Sequence, residues 1–144
     1  MVLSYKFKKQ KIEDGFIMRL IIPVTLEGKI KIDTTALIDT GCDLTLVPES
    51  LAEAVGLKIG SEINEIYGYA EKVNVVDSRA TLTFLSRNKR DEKTITIPVS
   101  VVKKQKGVQE ETELILGING MFDKFDIDFQ KNKNKIIFKS VEGS

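Results

Sequence analysis

Along most of this chain apolar residues recur at every second position, and many of them are β-branched, a pattern that predicts strands and not helices. Residues 2 to 8 alternate weakly. Phe16 to Leu26 followed by Lys29 to Asp33 reads as a hairpin turned at Glu27-Gly28, with Ile30 and Ile32 on one face of the second arm and Lys29, Lys31 and Asp33 on the other. Glu62 to Tyr67 and Lys72 to Val76 flank Tyr67-Gly68-Tyr69-Ala70, which predicts a second hairpin with a mobile, glycine-containing tip. Further strands are expected at Ala80 to Leu85 and Thr94 to Val102, joined by the charged turn Ser86 to Lys93. The last three are Leu114 to Gly117, Phe125 to Phe129 and Ile136 to Phe138, with a turn at Lys131-Asn132-Lys133-Asn134.

The helical period surfaces only twice. Pro48 opens a helix over about 49 to 55, with Leu51, Ala52 and Val55 on its apolar face and Gly56 closing it. Ile118 to Lys124 is a second short candidate. There is no internal repeat, linker or low-complexity segment, and 144 residues with 42% hydrophobic content suit one all-β domain with a substantial core.

One position breaks the pattern. The apolar run Ala36-Leu37-Ile38 drives directly into Asp39, and a second apolar run, Leu44 to Val47, follows a small turn. An unpaired buried charge costs several kcal/mol, so an acid ending a core strand is exposed, hydrogen-bonded or held there for chemistry.

Composition narrows that chemistry. The chain has no His and one Cys, Cys42, which excludes Ser-His-Asp triads, Cys-His pairs and His-ligated metal sites. A single Cys forms no intramolecular disulfide, and neither a signal-peptide pattern nor an Asn-x-Ser/Thr site is present, so a reducing, cytoplasmic setting is expected. No stretch reaches the roughly 18 apolar residues of a membrane span. The 22 basic and 21 acidic side chains nearly cancel, which gives no reason to expect nucleic acid. The basic clusters Lys6 to Lys11 and Arg87 to Lys93 read as solvated faces. Asp123, Asp126 and Asp128 lack calcium-loop spacing, and the alternation of Asp126 and Asp128 with Ile127 and Phe129 places them on an exposed strand face, so no metal is expected.

What remains is Asp39-Thr40-Gly41 between two apolar strands, followed about 75 residues later by a second apolar strand ending in glycine, Leu114-Ile115-Leu116-Gly117. With Ala36-Leu37-Ile38-Asp39-Thr40-Gly41 as the catalytic loop and Leu114 to Asn119 as the later apolar-apolar-Gly signature, the chain resembles the retropepsin-like aspartic proteases over roughly residues 16 to 139. That resemblance implies a closed β-barrel with one or two short helices and a flap hairpin, which would lie around Tyr67 to Glu71 between the two motifs.

It also implies a mechanism. Two carboxylates share one proton; the ionised one takes a proton from water while the neutral one polarises the scissile carbonyl, as in the handed-down pattern of such dyads. This chain has one D-T-G, so activity would require a homodimer with a second Asp39 across the two-fold axis, acting on an extended peptide or protein substrate without a cofactor. By position, Asp39 would be the acid/base, Thr40 would brace the partner loop, and Gly41 would allow close approach of backbone and substrate. Asp43 and the flap residues Tyr67, Gly68 and Tyr69 would contact substrate. Cys42 stands where the family usually has Ala or Ser; a thiol is a weaker donor than a hydroxyl, so the dyad is expected to titrate nearer neutrality.

Two alternatives stay open at this level: a retropepsin-like domain that has lost activity and serves as a dimerisation or peptide-binding module, and an unrelated small β-barrel in which D-T-G is coincidental. The roughly 15 residues before Phe16 exceed what the minimal fold needs. An interface strand, a pro-segment in the cleft and a disordered tail are the readings available for them.

Overall fold

Strand alternation becomes a closed ring. The computed structural model describes residues 1–68, 71–107 and 113–141. In β4 (Ile21–Glu27), Ile22, Val24 and Leu26 point inward and the residues between them outward. The same alternation sends Ala36 and Ile38 of β5 (Lys31–Ile38) and Ile95, Ile97, Val99 and Val101 of β9 (Glu92–Val102) into one core. With β6 (Leu46–Pro48), β8 (Glu71–Leu85) and β10 (Leu114–Leu116), the hydrogen-bonded order is β4-β5-β10-β6-β9-β8, and β8 pairs back to β4. Two neighbours are parallel, β5 with β10 and β6 with β9; the other pairings are antiparallel. Closure leaves no open edge within the ring. β7 (Ile63–Gly68) lies outside it, paired only to β8.

A second, three-stranded antiparallel sheet packs on the ring: β1 (Val2–Tyr5), β12 (Lys135–Ser140) and β11 (Phe125–Gln130). Phe84 from the ring meets Phe125 edge-on at 5.4 Å and Phe138 at 5.7 Å, and Tyr5 sits edge-on to Phe138 at 5.2 Å. These rings join the two sheets into one core. Residues 1–15 therefore supply core side chains, Leu3 and Tyr5, besides the first arm of a separate hairpin.

Several boundaries differ from the alternation alone. Phe16 to Leu26 is two strands, β3 (Gly15–Arg19) and β4, because pairing changes partner at Leu20: β3 pairs with β2 (Lys8–Ile12), whereas β4 pairs with β5. β2 is exposed on both faces, so no apolar period announced it. Lys72 to Val76 and Ala80 to Leu85 are halves of the single 15-residue β8, since Asp77, Ser78 and Arg79 pair with Ser100, Val99 and Pro98. The turn after β4 is set by packing: a Cβ on Gly28 would lie 2.6 Å from the Val55 carbonyl oxygen at the end of α1 (Glu49–Val55). That helix has its expected bounds, and Gly56 closes it at φ 76° with its N–H on the Ala52 and Glu53 carbonyls. The second helix shrinks to α2 (Met121–Lys124), because the residues before it are held elsewhere and Gly120 stands at φ 90°.

What holds them is a crossing of two chain segments. Gly117, just after β10, runs so close over the segment leading to β6 that a Cβ on it would lie 2.2 Å from the Leu44 carbonyl oxygen and 2.7 Å from that of Cys42. Its buried N–H donates to Thr45 Oγ1 at 3.2 Å, and the Thr45 carbonyl accepts the Ser100 N–H at 2.9 Å. Ile118 and Asn119 donate their N–H groups to the Cys42 and Asp43 carbonyls, both at 2.9 Å.

Two deletions of a hydroxyl should therefore differ in outcome. Thr45→Val strands the buried Gly117 N–H and is expected to lower unfolding free energy by about 1 to 3 kcal/mol. Tyr5 is 3% exposed and its hydroxyl has no hydrogen-bond partner among the described residues, so Tyr5→Phe should change stability by less than about 1 kcal/mol or raise it. Denaturant titration of the two variants measures both.

Candidate active site

Asp39 follows Ile38 at the end of β5, where the parallel register with β10 sets Ala36, Leu37 and Ile38 beside Leu114, Ile115 and Leu116. Its N–H donates to the Leu116 carbonyl at 3.0 Å, so the acid is fixed by the backbone of the second motif. Asp39 Oδ1 accepts the Gly41 N–H at 2.9 Å, and the Asp39 carbonyl accepts the Cys42 N–H at 3.1 Å. This is a tight turn closed partly by the carboxylate itself. An ideal Cβ on Gly41 would stand 3.2 Å from Asp39 Oδ1, so the small residue keeps that oxygen accessible. Asp39 is half-buried, whereas Thr40, Gly41 and Asp43 are exposed.

The loop opens on a cleft of about 870 Å³. Asp39, Gly41, Cys42 and Asp43 form one side; Leu46, Pro48, Val102 and Ile115 give an apolar floor, and Ile66, Tyr67 and Val73 of the β7–β8 hairpin form the other side. Tyr67 is 73% exposed at the rim, and Gly68 pairs with Glu71 at the far end of that hairpin. Tyr69, expected to share the tip, lies outside the described residues. The structure thus brings Asp39, Gly41, Cys42, Asp43 and Tyr67 to one cavity.

Cys42 is oriented away from the acids. Its Sγ–H donates to the Leu44 carbonyl at 3.1 Å. Burial, foremost, raises its thiol above the usual cysteine range, and the negative charges of Asp39 and Asp43 push the same way.

Two contributors were hidden in the sequence. Thr45 sat inside an apparently apolar run, where a lone polar residue between Leu44 and Leu46 was its signal; the structure makes it the buried acceptor for Gly117. Glu113 lines the cleft and is held end-on by Arg19, with both nitrogen–oxygen distances at 3.5 Å. A charge directly ahead of the buried strand Leu114–Leu116 was the only hint of it. Among the described residues no group of three or more His, Cys, Asp or Glu side chains is placed to hold a metal ion. Asp123 accepts the Gly120 N–H at the start of α2 and does not line the cleft, and Asp126 and Asp128 lie on β11.

The comparisons with known proteins agree with this geometry. The family model for aspartyl proteases matches residues 22–119, more than half of the chain. A retropepsin-like aspartic protease from Rickettsia conorii superposes with a TM-score of 0.53 at 14% identity, covering 96% of this chain and 91% of that one. The EIAV protease, solved in complex with the inhibitor HBY-793, superposes with a TM-score of 0.50 at 17% identity, covering 73% of this chain and 86% of that one. No curated protein sequence matches significantly. The chain is mostly strand and shares the retropepsin-like fold with these structures. With its D-T-G turn at residues 39–41 inside the matched segment, the chain belongs to the aspartyl protease family.

Proposed function

We propose that this protein is an aspartic endopeptidase whose active site is completed by a second copy, each contributing one Asp39. The observation that carries the reading is an aspartate at the end of a core strand whose backbone N–H donates to the Leu116 carbonyl and whose carboxylate accepts the Gly41 N–H, set beside the Gly117 crossing and facing an open peptide-sized cleft. Such rigid placement suits a group whose position matters within fractions of an ångström.

In this reading the two Asp39 carboxylates lie about 3 Å apart across the two-fold axis and bind one proton between them. The ionised member deprotonates water, which attacks the scissile carbonyl carbon. The neutral member donates its proton to the carbonyl oxygen, and proton return to the leaving nitrogen breaks the C–N bond. Thr40, exposed at the loop tip, braces the partner's loop. Gly41 and Asp43 face the substrate backbone, and the β7–β8 hairpin with Tyr67 and Gly68 closes over an extended chain bound strand-like. Because the Cys42 thiol donates to Leu44 and not to Asp39, the dyad lacks the hydrogen bond that a hydroxyl at this position would offer. The lone thiol suits a reducing, cytoplasmic setting.

Wild type should cleave members of a peptide library at some pH between about 3 and 8, and Asp39→Asn should cut the rate at least about 10³-fold with the fold intact by circular dichroism. Cleavage by both proteins or by neither would sink the assignment. Cys42 supplies a second check. Because its raised pKa leaves less thiolate at neutral pH, alkylation by iodoacetamide should run slower than for a free cysteine at pH 7 and accelerate only as pH climbs above the ordinary thiol range. A bound peptide inhibitor should slow it further, since Cys42 lines the cleft.

A further inference from the structure

The hairpin of β2 and β3 is a two-stranded sheet of its own, joined to the ring through Leu20 and the Arg19–Glu113 ion pair. Neither outer edge pairs with another described strand. It leaves Ile12 41% and Ile17 42% exposed as diagonal neighbours on one face, and Phe16 58% exposed on the other, where Lys9 Nζ lies 4.0 Å over its ring. Isolated two-stranded hairpins are marginal in water, so this one gains order from whatever covers it.

Its point of departure indicates what that is. β4 runs antiparallel to β5 with Ile21 beside Leu37, and the Leu20 carbonyl accepts the Ile38 N–H at 2.8 Å. The chain before Leu20 therefore leaves the ring at the end that carries Asp39. A two-fold axis that brings two Asp39 carboxylates to about 3 Å passes directly beside that end. Five-residue strands reach about 16 Å from their base, far enough to cross such an axis. Charge is complementary as well. The hairpin carries Lys8, Lys9 and Lys11 against Glu13 and Asp14, Arg19 being paired with Glu113 of its own chain, and the cleft beside the catalytic loop is lined by the carboxylates of Asp39 and Asp43 with no basic residue among the described lining.

We propose that the β2–β3 hairpin is a dimer clamp: it reaches across the two-fold axis and lays the Ile12 and Ile17 face on the second copy of this chain, beside that copy's acidic cleft. The clamp rests on the two-copy active site proposed above, and it makes assembly of the dyad depend on an element that contributes no catalytic group. Its lysines add an attraction that weakens with salt.

Sedimentation equilibrium on the full chain tests it. In one variant Ile12 and Ile17 are both changed to Ser. In a second, an Asn-Gly turn replaces residues 9–18 and joins the cross-strand partners Lys8 and Arg19. Both should raise the dimer dissociation constant by about tenfold or more, with circular dichroism unchanged and cleavage restored at protein concentrations above the new constant. Dissociation of the double-serine variant equal to wild type overturns the clamp, and leaves the dyad standing if Asp39→Asn is a dimer that does not cleave. A wild type that is monomeric at every concentration, or a cleaving Asp39→Asn, overturns the dyad itself.

Discussion

The structure depends on one close crossing. Gly117 passes over Leu44 at a distance that no side chain tolerates, and its buried N–H is accepted by Thr45. That contact ties the end of β10 to the entrance of β6, while the parallel pairing of β10 with β5 ties it to Asp39. One glycine thus couples three strands of the ring at the point where Asp39 sits. A buried amide left unpaired there would cost about as much as several surface contacts contribute, so the crossing is specified by polar satisfaction as well as by shape.

Around this point rigidity falls off in a useful order. The ring is closed, and its interior is a continuous apolar cluster sealed by Phe84, Phe125 and Phe138 against the second sheet. The turn at residues 39–42 is anchored on that core by backbone bonds and tightened by its own side chains, Asp39 Oδ1 accepting the Gly41 N–H and the Cys42 thiol donating to Leu44. β7 stands outside the ring, paired to β8, and β2–β3 stands outside it altogether. Elements with few buried contacts open or move at low cost, so these projecting parts are the ones that move most readily.

Much of both the ring and the second sheet was legible in the chain because inward and outward positions alternate with the period of a strand: β4 and β9 of the ring, and β11 and β12 of the second sheet, announce themselves in this way. The helix at Glu49–Val55 was legible from Pro48 and Gly56, whose backbone preferences act locally. Segments whose shape is set by distant partners were not. Asp77, Ser78 and Arg79 look like a break, yet β9 pairs with them and carries β8 straight through. Lys8 to Ile12 has no apolar face, so its strand follows only from the cross-strand partner that Gly15 to Arg19 provides. The helix expected from Ile118 stops short because Cys42 and Asp43 hold the N–H groups of Ile118 and Asn119 first.

By itself, then, the sequence determined which residues are core, that the fold is built of strands, and that Asp39-Thr40-Gly41 interrupts an apolar run where only an acid with a purpose belongs. Those properties are local: periodicity, turn chemistry and the cost of a buried charge act over a few residues. Only the tertiary structure decided that Thr45 is an acceptor and not filler, that Glu113 and Arg19 meet at the cleft, and that the Cys42 thiol turns to Leu44. Each of these depends on direction and distance between segments far apart in the chain, and a hydrogen bond that fails beyond about 3.5 Å has no signature in composition or spacing.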